Sequence, residues 1–359
     1  MFAQFRRRLA ASLMVVIACF STTPAWAIPM LLVDAQTYEV LYEDEAGQPW
    51  HPASLTKLMT AYVAFRAVEA GRISLDDKIK VSQLAWNQAP SKSGLKVGSS
   101  ITLRDALYIL LVKSANDIAV AIAEGVSGSV PAFVEEMNEM AAAMGMTATH
   151  FVNPNGLHHE AQVTTARDLA ILALIIRRDY PQYSDMFETE AVRLGKARLE
   201  SNNGLLQHFL GTSGMKTGYV CASGLNIVAT VERGGRSMLG VVLGGSSARE
   251  RNELAAEMFL RGFANVLTGT GRNVVQVRNV DAPPVNMRSQ ICGKESKAYV
   301  AERQAAFPMG LKGQPSYLTD EIEGKVYTAR DLGVLVDGVP LPRPRPQWAP
   351  APAVTAAAD

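Results

Sequence analysis

Apolar and polar positions divide the chain into four textures. The first is a basic start, Arg6, Arg7 and Arg8, then an apolar run from Leu9 to about Phe20 and the triplet Ala25-Trp26-Ala27. In the second, "MLLVDAQTYEVLYED" sets two apolar runs around a polar turn, which predicts a strand pair. Helical spacing follows. Leu58, Ala61, Phe65 and Val68 recur every three or four residues, as on a helix burying one side. Residues 101–126 read as two helical stretches broken near Lys113–Asn116, where Ser and Asn favour caps and turns. "SVPAFVEEMNEMAAAMG" predicts an amphipathic helix with Pro131 near its start and Gly145 at its end. "NPNGL" is a turn cluster, and "TTARDLAILALIIRRD" a helix with Thr165 and Asp168 at capping-box spacing. In the third texture, "SGMKTGYV", "GLNIVATVERGG" and "RSMLGVVLGG" are strand-like runs split by glycines, with a hairpin at "ERGGR". "ARERNELAAEMFLRGFANVL" closes it as a long amphipathic helix.

Strand pair, helices, strand meander and helix, in that order, imply an α/β chain of the α+β kind: an antiparallel sheet with helices packed on it. Beyond about residue 266 the fourth texture begins and periodicity weakens. Residues 281–318 carry scattered prolines, "KVYTARDLGVLVDGVPLP" holds a strand or two, and the Pro/Ala-rich end reads as disordered. The expected organisation is a signal peptide over 1–27, a main domain over 28–265, a short irregular extension over 266–340 and a tail over 341–359.

The basic start, short apolar run and A-x-A triplet have the form of a secretory signal, with Ile28 as the mature N-terminus. A competing reading takes Cys19 in "VIAC" as a lipidated residue. Losing the three arginines takes the formal charge from +1 to −2, and no basic stripe remains, so nucleic acid is excluded as a partner. Of three cysteines, Cys221 and Cys292 stay in the exported chain, where a disulfide is favoured over two free thiols.

The chemistry starts from "HPASLTKLM". Ser54 and Lys57 are three residues apart and share one side of a helix whose face is otherwise apolar. A desolvated lysine is driven toward neutrality, and a neutral lysine beside a hydroxyl can activate it without a histidine. The same spacing at Ser93 and Lys96 lies in a Gly/Ser-rich loop and lacks that context. Two further motifs follow in order: Ser114-Ala115-Asn116 in the helix break, and Lys216-Thr217-Gly218 on a strand, where a missing side chain admits a ligand to the backbone. His158 and His159 adjoin in a loop without a helical His-x-x-x-His pair, so neither a metal nor another cofactor is expected.

Ser-x-x-Lys, Ser-x-Asn and Lys-Thr-Gly in this order resemble the low-molecular-mass penicillin-binding proteins, the D-alanyl-D-alanine carboxypeptidases. The likeness runs from about Leu31 to Phe263 and includes "PASLTKLMT", "LVKSANDIAVAIAE", "THFVNPNGL", "TTARDLA", "GMKTGY", "GLNIVAT" and "VVLGG". It implies a serine β-lactamase/transpeptidase-like fold, with helices on both sheet faces and an all-helical part. It further implies peptidoglycan stem peptides as substrate and β-lactams as inhibitors. Ser54 would be the nucleophile, Lys57 its base and Ser114 a proton relay. Asn116 would bond the substrate amide, Lys216 and Thr217 would hold the terminal carboxylate, and the N–H groups of Ser54 and Tyr219 would form an oxyanion hole. Arg251 matches a family arginine for the carboxylate, with Arg249 close by. Asn202 stands where a relative has arginine, and the tail lacks an apolar face to lie on a bilayer. A β-lactamase, an endopeptidase cutting cross-links and an inactive scaffold are the alternatives; the Glu-x-x-Leu-Asn signature of one β-lactamase class is missing.

Overall fold

The computed structural model describes residues 28–267 and 269–334. The expected leader, Cys19 and the Pro/Ala-rich tail lie outside the described residues. The ten strands among these are β1 (Met30–Asp34), β2 (Val40–Asp44), β3 (Lys78–Lys80), β4 (Ser100–Thr102), β5 (Thr189–Leu194), β6 (Ala197–Glu200), β7 (Thr212–Val220), β8 (Gly224–Arg233), β9 (Arg236–Gly245) and β10 (Lys325–Ala329). The longer helices are α1 (Thr56–Glu69), α2 (Leu103–Val112), α3 (Asn116–Ser127), α4 (Val130–Ala143), α5 (Ala166–Asp179), α6 (Ala248–Phe263) and α7 (Ser296–Ala306).

One five-stranded antiparallel sheet, in the order β2-β1-β9-β8-β7, carries the fold. Side chains alternate across it, so Leu31, Val33, Leu239 and Val241 join one core while Leu32, Met238 and Val242 join another. The first core runs into α1 to α5; the second is closed by Ala255, Met258 and Phe259 of α6. Both faces are therefore helix-covered, as the resemblance implied. Each large apolar side chain buried this way contributes roughly 1.5–3 kcal/mol.

Local differences from the sequence reading have physical causes. Residues 100–102 form an edge strand rather than a helix start, because Thr102 caps α2 by accepting a hydrogen bond from the Asp105 amide at 3.1 Å. Ser54 occupies a 3-10 turn, Ala53–Leu55, immediately before α1. Lys-Thr-Gly lies in the middle of β7 rather than at its opening.

After α6 the chain returns across the body. Thr270, Val280 and Met287 donate backbone hydrogen bonds to the carbonyls of Val40, Gly47 and Ala222. β10 then pairs parallel to β5, and the Ser100 amide bonds to the Gly333 carbonyl. The short helix Arg288–Cys292 and α7 arise where prolines predicted little regularity. Neither contains a fully buried residue, so hydrophobic period could not signal them.

Candidate active site

Three elements converge on a cleft of about 590 Å³: the turn before α1, the break between α2 and α3, and strand β7. Ser54, Ser114, Asn116, Thr217, Gly218, Tyr219 and Arg251 all line it, and Lys57 and Lys216 sit just beneath. Every predicted site residue is thus brought to one place.

The turn at Ser54 is strained and tightly packed. Ala53 has φ +49°, a conformation few non-glycine residues adopt. A Cβ on Gly156 would stand 1.9 Å from the Ala53 carbonyl oxygen, and one on Gly218 3.0 Å from the Ser54 nitrogen. Two glycines therefore pack directly against the backbone of the Ala53–Leu55 turn. Asn226 of β8 reinforces this by donating to the carbonyls of His51 and Pro52, at 3.0 and 3.3 Å.

Lys57 is completely buried, with Nζ 3.0 Å from Ser54 Oγ, 2.8 Å from Asn116 Oδ1 and 2.5 Å from the Asn155 carbonyl oxygen. Desolvation, aided by the charge of Lys216, holds its pKa well below the usual lysine range; Asp117 opposes this. The neighbouring acceptors fix what the neutral amine can do. Asn116 Nδ2 donates to the Ala89 carbonyl at 3.2 Å, which orients Oδ1 toward Lys57. Asn116 Oδ1 and the Asn155 carbonyl can only accept, so both N–H groups of a neutral Lys57 go to them. The lone pair is left for the Ser54 O–H.

Ser114 adopts φ +61° in the helix break, and its buried Oγ has no partner. Asn116 spends its oxygen on Lys57 and one N–H on Ala89, which leaves one N–H for a ligand. Ser93 of the loop Ser-x-x-Lys does take part, but as support: its N–H and Oγ bond to buried Asp117. Lys96 is exposed.

On β7, Lys216 is buried and donates to the Thr217 carbonyl at 2.8 Å. Burial, with the Arg251 charge adding to it, pushes its pKa down to about 7. β7 is an edge strand paired with β8, so alternate residues turn their backbone groups outward. Thr217 and Tyr219 stand at alternate positions of this strand, and Gly218 between them packs against the Ser54 nitrogen. Arg251 is buried, with its pKa lowered to about 10, and donates to Asn252 Oδ1 and to the Asn202 carbonyl at 2.9 Å. Its guanidinium therefore occupies the neighbourhood of Asn202. Arg249 points away, donating to the carbonyls of Phe307 and Met309. The cleft is lined by no Asp or Glu among the described residues. Cys221 and Cys292 are bonded to each other.

His158 lines the cleft and packs edge-on to His51, while His159 Nδ1 accepts from the Ala161 amide. Sequence reasoning missed Asn155, Asn226 and Asp117. "NPNGL" signalled a turn, but nothing in a sequence marks a carbonyl as a lysine's partner.

The sheet, its two helical layers and Ser54 set against buried Lys57 define the class: the fold of the penicillin-binding proteins. Penicillin binding protein 6B from Escherichia coli superposes with a TM-score of 0.62 at 34% identity, covering 68% of this chain and 80% of that one. Penicillin-Binding Protein D2 from Listeria monocytogenes, solved in a cefotaxime-bound form, gives 0.60 at 31% identity, covering 66% and 96%. The D-alanyl-D-alanine carboxypeptidase family model, peptidase S11, matches residues 22–247, and the chain belongs to that family. D-alanyl-D-alanine carboxypeptidase DacD of Escherichia coli K12 is 34% identical over 245 residues, 66% of this chain and 63% of that protein. The match thus spans under two thirds of that relative. DacF of Bacillus subtilis is 28% identical over 318 residues, 85% of this chain and 80% of that protein.

Proposed function

We propose that the chain is an exported serine D-alanyl-D-alanine carboxypeptidase that removes the terminal D-alanine from peptidoglycan stem peptides and is acylated by β-lactams. The observation that carries this reading is buried Lys57 Nζ, its N–H groups taken by Asn116 Oδ1 and the Asn155 carbonyl, 3.0 Å from Ser54 Oγ. In the reaction, Ser54 passes its proton to neutral Lys57 as Oγ bonds to the penultimate D-alanine's carbonyl carbon. The negative oxygen that develops lies between the N–H groups of Ser54 and Tyr219. As the C–N bond breaks, the proton passes from Lys57 to the leaving amine, with the unpartnered Ser114 hydroxyl as relay. Lys216, Thr217 and Arg251 hold the leaving D-alanine's carboxylate. Water then attacks the ester, giving a proton to Lys57, which returns it to Ser54 Oγ as the acyl C–O bond breaks and the shortened peptide leaves with a new carboxyl group.

The bonded Cys221–Cys292 pair supports an oxidising compartment. The cefotaxime-bound Listeria relative supports β-lactams as acylating inhibitors. The test is intact mass after penicillin treatment, with D-alanine release from a pentapeptide. The mature chain should gain one penicillin and release D-alanine, and Ser54→Ala should do neither. Labelling retained in Ser54→Ala would remove Ser54 from the mechanism; labelling without D-alanine release would point to another acyl donor.

A further inference from the structure

The cleft has a further cation that the mechanism does not use. Arg288 lines it from the returning C-terminal segment, at the end marked by His158, Tyr219 and Cys221. That segment is firmly placed: the Met287 amide donates to the Ala222 carbonyl at 2.9 Å, and Cys292 is bonded to Cys221. The Arg288 backbone is held by Asn286 Oδ1 at 3.0 Å, whereas its guanidinium pairs with no carboxylate among the described residues.

Position along β7 says what this cation would meet. Thr217, with Arg251 nearby, marks the leaving-group end, and Tyr219 two residues on supplies an oxyanion N–H. Cys221 lies two residues further, roughly 7 Å along an extended strand. An acyl-donor peptide extended along this edge therefore runs from the scissile carbonyl at Tyr219 toward Cys221 and Arg288. We propose that Arg288 is a specificity residue that binds a carboxylate on the second or third acyl-donor residue before the scissile bond. The inference rests on the carboxypeptidase reading. Lys216 and Arg251 serve the product carboxylate, and His158 is held toward its neutral form by burial and by nearby His51 and Arg288. Arg288 is thus the fixed positive charge at the acyl-donor end.

The test compares two synthetic peptides ending in D-Ala-D-Ala, one with a free carboxylate at that upstream residue and one with it amidated. The wild-type chain should favour the free acid about tenfold in kcat/KM, the size of one charge-assisted hydrogen bond at a partly solvated rim. Arg288→Gln should erase that preference, chiefly through KM, and Arg288→Glu should reverse it. Equal turnover of both peptides by wild type, or an equal loss on both in the variants, would overturn the assignment while leaving the carboxypeptidase reading intact. Turnover of neither peptide by wild type would bring down both.

Discussion

At Lys57, burial sets the protonation state, and a charge on one neighbouring atom would reset it. Asn116 Oδ1 accepts from a lysine that burial already drives toward neutrality. Asn116→Asp would put a carboxylate there and favour the ammonium form, raising the Lys57 pKa. Penicillin acylation at pH 7 should fall roughly 10- to 100-fold, about one to two pKa units of proton affinity. The acid limb of the acylation rate should move to higher pH, and a uniform loss without that movement would assign Asn116 to positioning alone. Lys216 gives a second prediction, on stability. Its pKa is about 7 in the folded chain against 10.5 for an ordinary exposed lysine, so between those values the unfolded chain binds more protons. The Lys216 contribution to stability is therefore fully present above 10.5 and is lost as pH falls to about 7. Lys216→Met, which removes the titration, should melt higher than wild type at neutral pH, with the gap closing toward pH 10. A gap that stays constant with pH would mean that packing, not proton linkage, sets the difference.

Among the elements, the 3-10 turn carrying Ser54 is the most exacting. A Cβ on Gly218 would meet the Pro52 carbonyl oxygen at 2.9 Å and the Ser54 nitrogen at 3.0 Å, and backbone atoms cannot rotate away. Gly218→Ala should fold, since the displacement needed is a few tenths of an ångström. Acylation by penicillin should nevertheless fall about a hundredfold as the oxyanion donors separate. Unchanged acylation kinetics would show that the turn has slack. The strand bearing Gly218 was legible because "SGMKTGYV" follows a glycine-split, apolar texture, and the helix break at Ser114 because Ser and Asn interrupt an apolar period. Ser54 and Lys57 were legible as a pair because three-residue spacing survives a change from α to 3-10 turn. Asn155 and Asn226 were not, since each acts through a contact between residues far apart in sequence. Arg288 was hidden for another reason: it comes from a segment with no periodicity to fix where it lies.

On the scale of the whole molecule, the weakly patterned C-terminal segment completes the core's charge balance. Glu250 of α6 is fully buried; its Oε2 accepts from the Ser246 amide at 2.8 Å and its Oε1 from Arg303 of α7 at 2.7 Å. Glu253, also buried, accepts from Ser316 and from the Tyr317 amide. Removing one partner of a buried pair leaves an unpaired charge, at about 3–5 kcal/mol when both are fully enclosed. Arg303 keeps 22% of its side chain exposed, so water can reach part of the site. Arg303→Met should therefore destabilise by about 2–3 kcal/mol in urea unfolding, below that fully buried range. Adding Glu250→Gln should recover part of the loss, because the uncompensated charge is then gone. A chain ended at Asn265, where the apolar period fades, would lose Arg303, Ser316 and Tyr317 together, leaving Glu250 without its cation and Glu253 without the donors from Ser316 and Tyr317. It should unfold at a lower urea midpoint than Arg303→Met. Wild-type stability in the shortened chain would instead make residues 28–265 a self-sufficient domain.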